Sequence, residues 1–337
     1  MDVLYIMKEN KNSRQYIVVT PCKNEENNLP NLVQSMTAQT IKPALWVIVD
    51  DGSTDRTGEI IAEVEEKYGW IKGLHLQKSE EYMGTHLAYV CNKGFEFARE
   101  YCDREGISYE YIALVDADNI LEARYFEKLI EEFEKDEKLG IASGNSAFAD
   151  IEKILDDLKA KNPNITVMDD EFWQMWDSPF MRIQNSREDL PMGSARMWRR
   201  ECFEETGGYL PVVLPDSVSN AKAKMKGWRT RRFMDIRVIE RAGLKKQGLW
   251  IGYKEKGESY FFLGQSLFLT VLKALKYSLK KPYYTGLAYF LGYIIPFVCG
   301  KERVNDDEIR HYYKYIRSKE LKNYYKEKIK RRLKTNK

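Results

Sequence analysis

Cysteine and histidine are scarce in this chain: five cysteines (Cys22, Cys91, Cys102, Cys202, Cys299) and three histidines among 337 residues. The cysteine count is odd and no Cys-x-x-Cys pair occurs. That argues against a disulfide framework and a thiolate zinc site, and for a reducing compartment. The scattered histidines argue against a histidine-based metal centre. No Gly-x-Gly-x-x-Gly string is present, which counts against a dinucleotide-binding oxidoreductase. Internal repeats and low-complexity segments are also missing. The first 14 residues hold too little apolar length for a secretory signal peptide.

An excess of one charge is lacking too, since 54 Lys/Arg against 51 Asp/Glu leave a net +3. The distribution is uneven. Residues 301–337 carry 14 basic and 6 acidic side chains, a net +8, so the rest of the chain is −5. A basic tail fits an anionic surface, either lipid headgroups or nucleic acid. The tail tyrosines (Tyr312, Tyr313, Tyr315, Tyr324, Tyr325) could stack on bases, but helix packing explains them more simply, so nucleic acid is not the expected partner. With 43% hydrophobic and 31% charged residues, the chain is globular and long enough for one large domain or two smaller ones.

What is present begins with short apolar runs alternating with helical patterns. Tyr16-Ile17-Val18-Val19-Thr20, Leu45-Trp46-Val47-Ile48-Val49, Leu74-His75-Leu76 and Tyr111-Ile112-Ala113-Leu114-Val115 read as strands. Residues 25–39, 54–67, 87–104 and 125–133 read as helices, and another strand starts at 140–143. Alternation of this kind predicts an α/β fold with right-handed crossovers and a parallel sheet covered on both faces. Such sheets bind ligands at the carboxyl ends of their strands.

Three acidic clusters fall at that edge. The first strand runs into Thr20-Pro21-Cys22-Lys23-Asn24-Glu25-Glu26, the second into Asp50-Asp51-Gly52-Ser53-Thr54-Asp55, and the fourth into Asp116-Ala117-Asp118. Each alone has a plain structural explanation in turn or capping chemistry. Together they repel unless a cation or a donor-rich ligand is present. Two carboxylates one residue apart suit Mg²⁺ or Mn²⁺, with a diphosphate completing the shell.

These strings resemble the family 2 glycosyltransferases of the GT-A fold. Further similarity lies in Gly84-Thr85-His86-Leu87-Ala88 with Asn92 and Gly94, in Gly193-Ser194-Ala195, and in Gly207-Gly208-Tyr209. The resemblance covers about residues 15–232. It implies a Rossmann-like, mostly parallel sheet, an inverting mechanism and a nucleotide-diphospho-sugar donor. It also implies that Pro21 and Glu25 line the nucleotide pocket, that Asp51 accepts from the base, and that Asp50 supports the same loop. Asp116 would lie against the ribose and metal, and Asp118 would ligate the metal.

An acceptor hydroxyl needs a general base, because an alcohol at neutral pH is a poor nucleophile. In the family this is often the Asp of a Glu-Asp pair some two dozen residues after the Gly-Ser segment. Here Leu214-Pro215-Asp216-Ser217 occupies that place, so Asp216 is the expected base, with Pro215 where the Glu usually stands. Glu188-Asp189 precedes Gly193 and is wrongly placed. Arg229, Arg231 and Arg232 alternate as in a strand, so they cannot all face one ligand; one of them is expected at the diphosphate. Glu240 is expected in a surface salt bridge rather than as a third metal ligand. The Gln-x-x-Arg-Trp motif of processive polysaccharide synthases is absent, which argues for transfer of a single sugar.

The predicted organisation is an N-terminal extension (1–14), a GT-A domain (15–240) and a C-terminal helical, apolar and basic extension (241–337). Residues 282–300 carry no charge, and their length is at the lower margin for a membrane span. A mean hydropathy of −0.55, Gly286, Gly292 and Pro296 make an in-plane segment as plausible as a span. Tyr283, Tyr284, Tyr289 and Tyr293 suit a membrane interface. The expected acceptor is a lipid-linked or cell-surface glycan, met at the cytoplasmic face of the membrane. Two alternatives compete. A nucleotidyltransferase would want a Gly-rich loop that residues 20–26 lack. A sugar-nucleotide-binding or scaffold protein without catalysis is supported by Pro215 alone.

Overall fold

The structure, a computed structural model, describes residues 14–77, 85–184, 187–241, 248–279, 281–324 and 326. The extension at 1–14 lies outside them apart from Arg14, as does Gly84. The chain divides into two compact units, residues 1–211 with 215–242, and residues 212–214 with 243–337.

In the first unit the strands, in chain order, are β1 (Tyr16–Cys22), β2 (Leu45–Asp50), β3 (Ile71–His75), β4 (Tyr111–Val115), β5 (Asn119–Leu121), β6 (Leu139–Ala149), β7 (Arg182–Ile183), β8 (Ala195–Arg199) and β9 (Arg229–Arg241). They form one sheet in the order β3-β2-β1-β4-β8-β6-β9-β5, with β7 beside β6. The first four are parallel, as the strand–helix alternation predicts. β8 runs antiparallel to both β4 and β6, and β5 antiparallel to β9. Alternation alone did not anticipate these reversals. After β6 the chain makes short helices at Ile151–Lys159 and Asp170–Gln174, runs back briefly along β6 as β7, and then enters β8. No crossover returns it to the other edge, so the next strand must run back. The result is a mostly parallel α/β sheet of the GT-A kind.

β1 sends Tyr16 and Val18 to one face and Ile17 and Val19 to the other, the period of two of a strand. Leu32, Met36, Ile61, Phe126 and Phe133 cover the first face, and Ala88, Cys91, Phe95 and Phe203 the second. Burial on both sides explains why these strands read as unbroken apolar runs. Trp176 and Met181 are buried with Phe172 in a third cluster, while Phe180 is exposed.

The second unit has helices at Leu249–Phe262, Leu267–Ser278 and Thr285–Val298. A Cβ on Gly257 would strike the backbone at Tyr289, and one on Gly292 the backbone at Lys254, so the first and third helices cross with backbones nearly touching. Tyr289 and Tyr293 are buried and bond to Gln265 through their hydroxyls; only Tyr283 and Tyr284 of the four tyrosines are exposed. Among the described residues no helix is long and apolar enough to cross a membrane. Thr285–Val298 has 14 residues, about 21 Å, against a hydrocarbon core of about 30 Å.

Candidate active site

The loops after β1 and β2 are stitched to each other. Both helices that follow start later than their apolar patterns suggest, at Leu29 and Thr57. The reason is local. Asp55 Oδ1 accepts from Thr57 N and Oγ1, and its Oδ2 accepts from Glu26 N. Thr54 N donates to Asn24 Oδ1, and Glu25 N to Thr57 Oγ1. Asx-type bonds outcompete the first helical turn, and the loop pair becomes one wall of a cleft.

That cleft has a volume of about 350 Å³ and is lined by Pro21, Glu25, Asp51, Asp116 and Asp118, with Lys23 and His86 among its other residues. Thus five of the seven predicted site residues share it. Asp50 turns away: its Oδ1 accepts from Ser53 N at 2.9 Å, and its Oδ2 lies 3.1 Å from His75 Nδ1. Asp51 is buried between Lys23 Nζ at 3.0 Å and His86 Nε2 at 3.0 Å. A second hollow continues from Asp51 and His86 past Gln77 and Tyr89.

The Asp116-Ala117-Asp118 turn is clamped from two strands. Asp116 N donates to Ser194 O at 2.7 Å, next to the start of β8. Arg241 N donates to Asp118 O at 3.1 Å from the end of β9. Between them, Ser194 Oγ donates to Glu240 Oε1 at 2.8 Å. Glu240 therefore stands beside the acidic turn, not in the surface salt bridge expected of it. Burial, then the charges of Asp118, Asp216 and Glu240, hold the Asp116 carboxyl well above the ordinary carboxylate range, with Arg196 opposing. Burial followed by Glu25 and Glu240 pushes Asp118 up to about 7.

Among the described residues no three His, Cys, Asp or Glu side chains form a metal cage by themselves. The donor chemistry nonetheless fits a hard divalent ion: desolvated oxygen ligands whose ionised forms repel one another, open to a cleft where a ligand's oxygens can complete the shell.

Asp216 is not in the cleft wall. It lies in the first turn of the helix Pro215–Met225, where Pro is well accommodated. Tyr209 Oη donates to its Oδ1 at 2.9 Å, and Arg196 Nε is 3.6 Å from the same oxygen. Arg196 is fully buried and also donates to the carbonyls of Met192, Pro191 and Asp216. A Cβ on Gly193 would overlap the Asp216 carboxylate. Gly193→Ala is therefore expected to displace Asp216 and cut turnover about a hundredfold, with donor affinity in a binding titration unchanged.

The other carboxylates and arginines sort differently. Burial opposes the charge of Asp189, but Arg187 and Lys224 overcome it and hold its carboxyl at about 2, so that residue is an anchor. Arg229 pairs with Asp136, Arg231 stacks on Phe233, and buried Arg232 bonds to Asn145 and Gln184. None of these arginines is in the cleft wall, contrary to expectation. The basic group that is there, Lys23, follows β1 directly. Scattered in sequence, His75 and His86 both meet the Asp50-Asp51 pair. His86 falls within the Gly-Thr-His-Leu-Ala stretch that resembles the family.

A Rossmann-like parallel half extended by reversed strands, with acidic strand ends around one cleft, is the architecture of the GT-A glycosyltransferases. The chain belongs to glycosyl transferase family 2, whose family model matches residues 17–207. It is 26% identical over 153 residues to a Staphylococcus epidermidis poly-beta-1,6-N-acetyl-D-glucosamine synthase, covering 45% of this chain and 34% of that protein. It is 29% identical over 136 residues to the synthase of the same name from Staphylococcus aureus strain MSSA476, covering 40% and 29%. The match spans about a third of the length of these curated relatives. Among solved structures, the mannosyltransferase PcManGT from Pyrobaculum calidifontis, in complex with GDP-Man and Mn²⁺, superposes with a TM-score of 0.50 at 18% identity, over 86% of this chain and 88% of that one. That likeness supports the fold.

Proposed function

We propose that this glycosyltransferase moves a single sugar from a nucleotide-diphospho-sugar to a hydroxyl of a lipid-linked or cell-surface glycan, with inversion. The observation that carries the reading is the convergence of Asp51, Asp116 and Asp118 on one cleft, with Asp216 close enough to raise the pKa of Asp116. The nucleobase would sit against Asp51, with Pro21 and Glu25 bordering the nucleotide. Asp116 would face the ribose. Asp118, with Asp116, would hold Mg²⁺ or Mn²⁺, which when bound offsets the charge that builds on the departing diphosphate.

The chain's own residues supply the rest. Asp216 takes the proton of the acceptor hydroxyl as its oxygen bonds to the anomeric carbon. The bond to the diphosphate breaks on the opposite face, which inverts that centre. Tyr209 and Arg196 fix the position of the Asp216 carboxylate, through a hydrogen bond at 2.9 Å and an ion pair at 3.6 Å. Tyr209→Phe loses the hydrogen bond and loosens that placement, so kcat should fall by about tenfold with donor affinity in a binding titration unchanged. Unchanged turnover in the variant would assign Tyr209 no part in positioning the carboxylate.

The donor is tested by a thermal-shift screen of nucleoside diphosphates and diphospho-sugars with Mn²⁺ and with Mg²⁺. A ligand bound only by the folded state raises stability by mass action, by about 2.7 kcal/mol at a hundred times its Kd. Stabilisation by one base, lost in Asp51→Ala, supports the reading; no stabilisation by any of them sinks it. The apolar second unit and the basic tail support work at the inner face of the cell membrane, where such an acceptor would be presented.

A further inference from the structure

The helix Leu267–Ser278 is packed with its polar side inward. Thr270 is fully buried and accepts from Gln265 Nε2, while Lys273 Nζ donates to Gln265 Oε1 at 2.6 Å and lies 3.7 Å above the Tyr260 ring. Phe268, Val271, Leu272, Leu275 and Leu279 recur at the spacing of one helical face, and that face is outward. Phe268 is 73% exposed, Leu275 60% and Leu279 81%. In a water-facing helix the arrangement would be reversed.

The neighbouring helix repeats the pattern, with Leu287, Ile295 and Val298 exposed and Tyr289 and Tyr293 buried. Exposed aromatics accompany these faces: Trp250 packs against Tyr284 with ring centroids 6.0 Å apart, and Tyr283 is open. Lys276 and Lys281 are exposed as well. Apolar exposure on this scale marks an interaction surface. Its composition is specific: aliphatic side chains, amphipathic rings that favour the headgroup level, and lysines. The net +8 of residues 301–337 adds the charge that an anionic surface attracts.

We infer that these two helices of the second unit bind the surface of an anionic bilayer, lying in its plane with the Phe268–Leu272–Leu275–Leu279 face among the outer acyl carbons. The inference deepens the membrane part of the proposed function and rests on it only there. Flotation measures lipid binding and needs no turnover, so its failure leaves sugar transfer standing.

The test is co-flotation of the full chain with phosphatidylcholine vesicles, with and without added phosphatidylglycerol. Wild type should float with the anionic vesicles and lose most of that binding in high salt. Phe268→Ser combined with Leu275→Ser should weaken partitioning by about a hundredfold, roughly tenfold per side chain withdrawn from lipid. Lys276→Glu with Lys281→Glu should weaken it by about tenfold. All four positions are exposed, so melting temperature and donor-induced thermal shift should match wild type, which confirms folding. Wild type that stays unbound on anionic vesicles, or a Ser/Ser variant that floats like wild type, overturns the inference. So does sedimentation of wild type as a dimer that the Ser/Ser variant dissolves, because the face would then cover a second copy of the chain.

Discussion

Asp216→Asn should lower sugar transfer by about a thousandfold, within the range expected for loss of a general base, while donor affinity in the presence of metal stays near wild type. The amide is nearly isosteric and still accepts the Tyr209 hydroxyl, so the first turn of the helix Pro215–Met225 should persist. Arg196 keeps its three carbonyl partners. The lost attraction at 3.6 Å involves a carboxylate 38% exposed, so solvent screening limits the stability cost to about 1 kcal/mol or less. A variant that binds donor, melts normally and does not transfer identifies the base. A variant with near-normal turnover would remove Asp216 from the mechanism and shift attention to Glu240.

The second large effect concerns Asp118 and has a definite sign. Its carboxyl is pushed from the ordinary carboxylate range up to about 7 by burial first, then by Glu25 and Glu240. The folded protein therefore holds this proton more tightly than the unfolded chain does. Stability linked to Asp118 is fully present below about pH 4 and is lost as pH rises toward 7, by up to about 4 kcal/mol at 1.36 kcal/mol per pK unit. In metal-free buffer, Asp118→Asn should remove that loss and be the more stable protein at pH 8. With Asp118 as the proposed ligand, Mn²⁺ or Mg²⁺ should reverse the order, because the ion would stabilise the ionised wild type and find one ligand fewer in the variant. Metal affinity of wild type should climb with pH up to about 7 and then level off, since the ligand must shed its proton. Thermal melts at pH 5 and pH 8, with and without Mn²⁺, read all of this. Equal melting of the two proteins at pH 8 in metal-free buffer would show that Asp118 carries no such burden.

Much of the site was legible because its residues follow apolar runs. Strands buried on both faces are unbroken hydrophobic strings, so their ends are visible, and in a parallel sheet those ends share an edge. That logic alone places Pro21, Glu25, Asp51, Asp116 and Asp118 at one edge. Asp50, expected to support the same loop, does so by accepting from Ser53 N, but spacing did not show that it stays out of the cleft wall: adjacent side chains on an extended backbone point to opposite sides, and only the loop shows which of the two faces the cleft. Spacing failed for the arginines of β9 as well, since it showed that they diverge but not where each one goes.

By itself the sequence determined the α/β class, the parallel half of the sheet, the acidic edge and the family, because these depend on local periodicity and on short strings. Only the tertiary structure decided what depends on distant segments meeting. Antiparallel β8 and the long strand β9, parallel to β6, bring Ser194 and Glu240 to the acidic turn, across 76 and 122 residues of chain from Asp118. Tyr209 and buried Arg196 meet Asp216 through folding of the same kind. The second unit makes the point most sharply. Hydropathy showed an apolar region, but which face of Leu267–Ser278 is buried depends on Gln265 holding Thr270 and Lys273 inward, a choice that periodicity cannot express.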